Sequence, residues 1–341
     1  MTITINTRKQ SFYFDIFIRI ARHHPQHIFI FILDELNDPS FLFPENVIPI
    51  VLKKAKISLL PRVVKEQRIS FLLKKYKAAV CVSEKYLLPS KVPQCLIVKK
   101  DHKIRSLQKA KIIVTDSQFF KKEIIEKYKI DENKIEVVYK NADEDFRPIA
   151  FDKREKIKEK YSGGNEFFLT TEKISIKNLF NLLKAFSIFK KRQKSNMRLL
   201  MASTGALPHE FIEQLRLYKF KSEVIFFENI TRSEAIKIKA SAYAFMDLSN
   251  PAKFPVFSLE AIQCNVPVIA ADKPIPLEIC GDATLYVNND DNKDIGEKMM
   301  LIFKDEKLRQ QLIENGQEQI KKYSIDKTAN AFWESIEKAC M

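Results

Sequence analysis

Short runs of β-branched and aromatic residues alternate with stretches of helical spacing along nearly the whole chain. In the first half Ile3 to Ile5, His27 to Leu33, Val80 to Val82, Leu96 to Val98, Ile112 to Thr115 and Ile135 to Tyr139 read as strands. The second half repeats the pattern at Phe167 to Thr170, Arg198 to Ala202, Val224 to Phe227, Ala244 to Asp247, Val268 to Ala270 and Thr284 to Val287. Strands separated by helix-length crossovers pair in parallel and need helices on both faces, so the expected class is α/β. The alternation occurs twice, which implies two Rossmann-like, doubly wound domains. A chain of 341 residues agrees with that count at roughly 150 residues per domain.

Composition narrows the function classes. Met1 to Asn6 is polar and β-like rather than a leader, and no aliphatic stretch approaches the ~20 residues that span a bilayer. The five cysteines, Cys81, Cys95, Cys264, Cys280 and Cys340, are widely spaced and include no Cys-x-x-Cys pair. Reduced thiols in a cytoplasmic protein are expected, with neither a disulfide framework nor a zinc site. The five histidines show no metal spacing, and no P-loop, Gly-x-Ser-x-Gly or Gly-x-Gly-x-x-Gly string occurs.

Charge is concentrated in one region. Residues 51 to 111 carry 17 Lys/Arg against Glu66, Glu84 and Asp101, which leaves the rest of the chain nearly neutral. The basic stretch 53–111 suits an anionic membrane surface or a phosphorylated acceptor, or is a solvated lysine-rich face. Val63 to Tyr76 within it has helical spacing, with Ile69, Leu72, Leu73 and Tyr76 along one side. No nucleic-acid-binding module is recognisable, so no nucleic acid partner is expected.

The block 254 to 287 places one carboxylate, Glu260, in a helix that starts at a proline-marked loop. Such a helix has first-turn amides able to meet an anion, which suits a diphosphate. Phe254, Glu260, Ala261 and Pro267-Val268-Ile269 resemble the donor-binding segment of GT-B fold glycosyltransferases, specifically the retaining family 4. Their usual form is Glu-Gly-Phe-Gly-x-Pro-x-x-Glu-Ala followed by Gly-x-Pro-Val-Ile. Val114 to Tyr128, Asn133 to Tyr139 and Phe146-Arg147-Pro148 are similar to the same group at its domain junction. The resemblance covers about residues 78 to 335.

The resemblance implies two Rossmann-like domains facing across a cleft, with boundaries at 1–147, 148–325 and a final helix, 326–341, that crosses back to the first domain. It implies transfer of a hexose from a nucleotide-diphosphate sugar to a glycan or lipid-linked acceptor, with retention and without a cofactor or metal. In Thr170 to Leu179, Lys177, Asn178 and Leu179 match the family's phosphate-binding stretch, making Lys177 the phosphate lysine or a surface lysine at a helix start. Glu260 is the ribose contact or a carboxylate paired with protein groups, because a carboxylate in an apolar run must find donors or stay protonated. Phe254, Pro255, Val256 and Phe257 complete the donor segment. Ser203 and Gly205, after one strand, border the donor sugar, and Glu228, after another, borders the base. The family's His-Asp pair aligns near Lys100-Asp101-His102, which makes Asp101 and His102 the catalytic candidates.

Departures define an alternative. The family's first glutamate falls on Ala252, its two glycines on Lys253 and Pro255, and its arginine on Thr171 or Glu172. No glycine precedes Gly163, so the glycine-rich turn after the first strand is replaced by Arg8-Lys9-Gln10. The alternative is a silent relative that keeps the framework as a binding or assembly partner.

Overall fold

The structure, a computed structural model, describes residues 1–9, 11–35, 40–52, 61–84, 86–99, 107–171, 174–202, 209–250 and 252–341. The chain divides into two compact units, residues 1–140 with 325–341, and residues 141–324.

The first unit runs through β1 (Thr2–Asn6), α1 (Phe12–His23), β2 (Ile28–Leu33), β3 (Val47–Val51), α2 (Pro61–Lys75) and β4 (Val80–Ser83). It continues with β5 (Gln94–Ile97), β6 (Ile112–Thr115), α3 (Gln118–Tyr128) and β7 (Ile135–Val137). Among the described residues these strands form one parallel seven-stranded sheet, in the order β3-β2-β1-β4-β5-β6-β7. The run IFIFIL of β2 serves both faces. Phe29, Phe31 and Leu33 pack with Phe14 and Phe17 of α1. Ile30 and Ile32 pack with Ile69 and Leu73 of α2. A parallel strand buried on both sides has little use for polar residues, which is why it reads as an unbroken apolar run. Strand β3 was not expected, because Pro49 interrupts its apolar pattern. It lies at the sheet edge, where a missing N–H is tolerated.

The second unit contains α4 (Phe151–Ser162), β8 (Phe167–Thr171), α5 (Ile176–Gln193), β9 (Arg198–Ala202), α6 (His209–Arg216), β10 (Val224–Phe227) and α7 (Arg232–Ser241). After these come β11 (Ala244–Asp247), α8 (Val256–Gln263), β12 (Val268–Ala271), α9 (Pro274–Cys280), β13 (Thr284–Val287), α10 (Asn292–Lys304) and α11 (Glu306–Ile320). Its described strands form a parallel six-stranded sheet, β10-β9-β8-β11-β12-β13. Thr231 and Glu234 form a reciprocal capping box at the start of α7. Gly316 in α11 marks a close approach. A Cβ there would lie 2.9 Å from Cγ2 of Ile262 in α8.

Helix α12 (Ile325–Cys340) belongs to the first unit. Its apolar side inserts Phe332 against Phe17 and Tyr13, with ring centroids 5.0 and 5.8 Å apart. Trp333 stacks on His24 at 3.7 Å.

Candidate functional site

Each sheet reverses its winding once. In the second unit the chain moves outward from β8 to β9 and β10, then crosses to β11, β12 and β13. Ligands of open parallel sheets bind outside the carboxyl ends of the strands at such a crossover. Here that is the edge formed by Thr171 of β8 and Asp247 of β11.

Local chemistry fixes this edge. Thr170 Oγ1 donates to the Met246 carbonyl at 2.9 Å, and Ile174 and Ser249 form an antiparallel bridge. Ser175 caps α5 by accepting from the Asn178 amide at 3.2 Å, and Asn178 Nδ2 donates to the Leu248 carbonyl at 2.8 Å. The start of α5 is therefore tied to the end of β11, and Lys177 projects from that turn. Its Nζ meets Asp290 Oδ1 at 2.5 Å, with both side chains about two-thirds exposed. The hydrogen bond to Lys177 holds the Asp290 carboxyl below its ordinary range. An exposed pair of this kind is weak, so a phosphate can displace the aspartate at little cost.

Asp247 closes β11 as a buried carboxylate. Ser249 Oγ donates to its Oδ1 at 2.5 Å, and Ser258 Oγ donates to its Oδ2 at 2.6 Å. One acid thus holds both ends of the loop that carries Ala252 to Phe257. Pro255 occupies the cap position of α8 and supplies no side-chain cap. The Val256 amide donates to the Phe254 carbonyl at 2.9 Å. That amide is engaged within the loop, which corrects the expectation that all the first amides of this helix await an anion. Phe254 and Pro255 are buried, whereas Val256 and Phe257 are half-buried. Phe254 packs edge-on against Tyr323 at 6.2 Å.

Glu260 lies inward on the second turn of α8, and 7% of the residue is exposed. Its Oε2 accepts from Lys239 Nζ at the end of α7. The ammonium sits over three rings, Phe146 at 4.6 Å and Phe245 and Phe257 at 5.0 Å each. The neighbouring Cys264 thiol is pushed up to about 12 by burial, with Lys239 pulling down and Glu260 pushing up. Buried charges are tolerated when paired, and the ring faces add cation–π attraction.

Among the other residues expected from the sequence to border a donor, Glu228 is exposed just beyond β10, and at the family's first-glutamate position Ala252 is half-buried in the loop. Ser203, Gly205 and Glu172 lie outside the described residues. So do Lys100 and the catalytic candidates Asp101 and His102.

The first sheet reverses between β1 and β4. At that edge Glu84 is 8% exposed. It accepts from Thr7 Oγ1 and, at 2.6 Å, from Ser11 Oγ. Lys99 Nζ stands 3.5 Å from the same carboxylate and 5.6 Å from the Tyr13 ring centroid. Burial, then Asp116 and Glu84, hold the Tyr13 phenol well above its ordinary value. Where a glycine turn was sought, the hydroxyls flanking Arg8-Lys9-Gln10 donate to the carboxylate of Glu84, the residue directly after β4. Sequence reasoning overlooked Glu84, Lys99, Lys239, Asp247 and Ser258. The available signal was position, since Asp247 ends β11 and Glu84 directly follows β4, each beside a crossover.

Two parallel doubly wound units with these crossovers define the GT-B fold, and solved structures agree. Over 99% of this chain and 98% of theirs, the match to a glycosyltransferase from Rickettsia africae has a TM-score of 0.82 at 18% identity. Anabaena Alr3699/HepE, solved with UDP and glucose, matches with a TM-score of 0.74 at 14% identity over 99% of each chain. Residues 152–319 match the family described as Glycosyl transferases group 1. The matched segment lies within the second unit, residues 141–324. A curated relative, the O-antigen chain mannosyltransferase RfbU of Salmonella typhimurium, is 27% identical over 191 residues, which are 55% of this chain and 50% of the relative. The aligned region thus takes in half of that protein's length.

Proposed function

We propose that the chain transfers a hexose, with retention, from a nucleotide-diphosphate sugar to a glycan or lipid-linked acceptor in polysaccharide biosynthesis. The observation that carries this reading is a coincidence of position. The segment matched to Glycosyl transferases group 1 encloses the carboxyl edge at which a doubly wound sheet binds ligands. In this reading Lys177 neutralises the diphosphate and Phe254 to Phe257 cover the donor, while Glu260 meets the ribose hydroxyls. Neutralising the leaving phosphate supplies the main stabilisation of the transition state. The test is a calorimetric and product-release panel of UDP-, GDP- and ADP-sugars. Binding with transfer supports the reading, and a protein that neither binds nor turns over any of them overturns it.

A second reading has its own support in Ala252 and in the Glu260–Lys239 pair, which already satisfies the acid. In it the chain is catalytically silent and serves as an assembly partner in the same pathway. Sugar transfer by the purified protein, abolished by Glu260→Ala, removes this second reading.

We also propose work at the cytoplasmic face of the inner membrane, through the basic stretch 53–111. Among the described residues no helix is long and apolar enough to cross a membrane. Helix α2 exposes Phe71 at 66% beside exposed Lys74 and Lys75. Co-sedimentation with anionic but not neutral vesicles is expected, weakened by Phe71→Ser with Lys74→Glu. Equal pelleting with both vesicle types defeats it.

A further inference from the structure

At the opposite edge of the second sheet lies a cavity that the donor site does not use. Its volume is 340 Å³, within the range of about 300–1,000 Å³ common for small-molecule sites. The walls come from the segment before α4, the end of α7, the turn between α8 and β12, and α11. Two arginines, Arg154 of α4 and Arg309 of α11, line it together with Asn265, Gln310 and Gln317, and no carboxylate is among the lining residues.

The two guanidiniums are incompletely satisfied. Arg154 reaches Glu166 at 3.4 Å, and that carboxylate is shared with Lys158. Arg309 meets Glu306 at 3.0 Å, but the glutamate side chain is 71% exposed and so offers little neutralisation. The Nε–H of each arginine is buried without an acceptor. Buried donors of a charged group are costly to leave unmade. Arg309 Cζ also lies over the Tyr243 ring, 4.7 Å from its centroid, a cation–π contact that helps hold the side chain in place. The Tyr243 phenol is raised by burial and lowered next by Arg309, with Glu306, Glu166 and Arg154 also acting on it.

We propose that this cavity binds a small organic phosphate, with Arg154 and Arg309 gripping the anion and the three amide side chains meeting hydroxyl groups on its body. Two guanidinium forks match the planar, multidentate recognition that a phosphate oxygen set requires. A carboxylate-bearing metabolite has the weaker claim, because one carboxylate fills only one fork. The site is independent of the glycosyl-transfer reading. It nonetheless touches the same helix, since Cys264 and Asn265 end α8 at the cavity while Phe254 to Phe257 begin it at the donor edge.

The experiment uses the full chain and three probes, namely inorganic phosphate, glucose 6-phosphate and, as the unphosphorylated control, glucose. Binding is followed by calorimetry and by the ³¹P line width. Glucose 6-phosphate should bind and glucose should not. Arg154→Gln with Arg309→Gln should weaken binding at least about tenfold, the loss expected for charge-assisted hydrogen bonds. Because Arg309 also packs on Tyr243, Ile313→Trp provides a second variant that fills the cavity and leaves both arginines in place. It should abolish binding with an unchanged circular dichroism spectrum. Undiminished phosphate binding in Ile313→Trp, or no binding of either phosphate to the wild-type protein at millimolar concentration, overturns the proposal. The nucleotide-sugar panel on the same variants keeps the two questions apart, since donor affinity should survive Ile313→Trp if the cavity is a separate site.

Discussion

Replacing Lys239 with Met removes the cation of a pair whose side chains are only 5% and 10% exposed. Glu260 then keeps its place in an apolar helix without the ammonium. Removing one partner of a buried pair costs about 3–5 kcal/mol, because the other charge is left uncompensated. For a unit of this size each kcal/mol shifts the melting temperature by about 2–4 °C, so the variant should melt about 6–20 °C lower. Glu260→Leu alone strands the ammonium among Phe146, Phe245 and Phe257 and should cost less, because the ring faces still attract it. The double variant, with an apolar pair of similar volume, should recover most of the loss, since such replacements are often neutral. The assay is urea denaturation of all four proteins followed by circular dichroism, analysed as a double-mutant cycle. A single-variant cost below about 1 kcal/mol, or a double variant showing the plain sum of its parents, would refute the claim that the pair is a buried, coupled unit. The same proteins bear on the ribose reading. If Glu260 also grips a nucleoside, Glu260→Gln should lose nucleotide affinity by at least about tenfold. A framework role alone would lower stability and leave affinity intact.

Burial against Trp333, followed by the neighbouring His27, holds the His24 imidazole below its ordinary value of 6.5. The unfolded chain therefore takes up a proton before the folded one does. The stabilisation is fully present above pH 6.5 and is lost as pH falls below it. Fluorescence of Trp333, the only tryptophan, should change in that window, and His24→Phe should remove the change. Gly316→Ala should cost about 1–3 kcal/mol by overpacking, because the new methyl meets Ile262, which is 4% exposed. Denaturation that leaves its midpoint unmoved would show that α11 shifts freely on α8. Phe332→Ala should destabilise the first unit by about 3–5 kcal/mol, read as earlier loss of Trp333 emission. An unchanged midpoint would show that α12 is not seated by its aromatic side.

Strands were legible in the sequence where both of their faces are buried. Phe167 to Thr171 or Ile28 to Leu33 can hardly be anything but an interior parallel strand, because their apolar residues do not alternate with polar ones. The one strand overlooked, Val47–Val51, lies at an edge and presents Ile48 and Pro49 outward, so its sequence carries a weaker pattern. Caps were legible for the opposite reason. Thr231 and Glu234 need only three residues of sequence to find each other. Lys177 and the segment 254–257 were reached through the resemblance of Thr170 to Leu179 and of block 254–287 to family motifs, not through strand order.

The partners of the site residues could not be read in this way. Thr7 and Glu84 are 77 positions apart, and Lys239 and Glu260 are 21 apart. No periodicity links such pairs. For Glu260 the ambiguity is chemical as well as geometric. Burying a carboxylate among Leu259, Ala261 and Ile262 requires donors, and a ribose diol or a lysine ammonium satisfies that requirement equally in one dimension. Only the fold decides, by bringing the end of α7 beneath the second turn of α8. The resulting contact gives the acid a stabilising role whether or not a nucleotide is bound, so presence of the carboxylate at position 260 is by itself no sign of turnover. The loop at Ala252 points the same way, since Asp247 fixes its two ends through serine hydroxyls and needs no ligand to do so. A donor loop preshaped by its own protein contacts serves an active transferase and a silent relative alike, and only measured sugar transfer separates them.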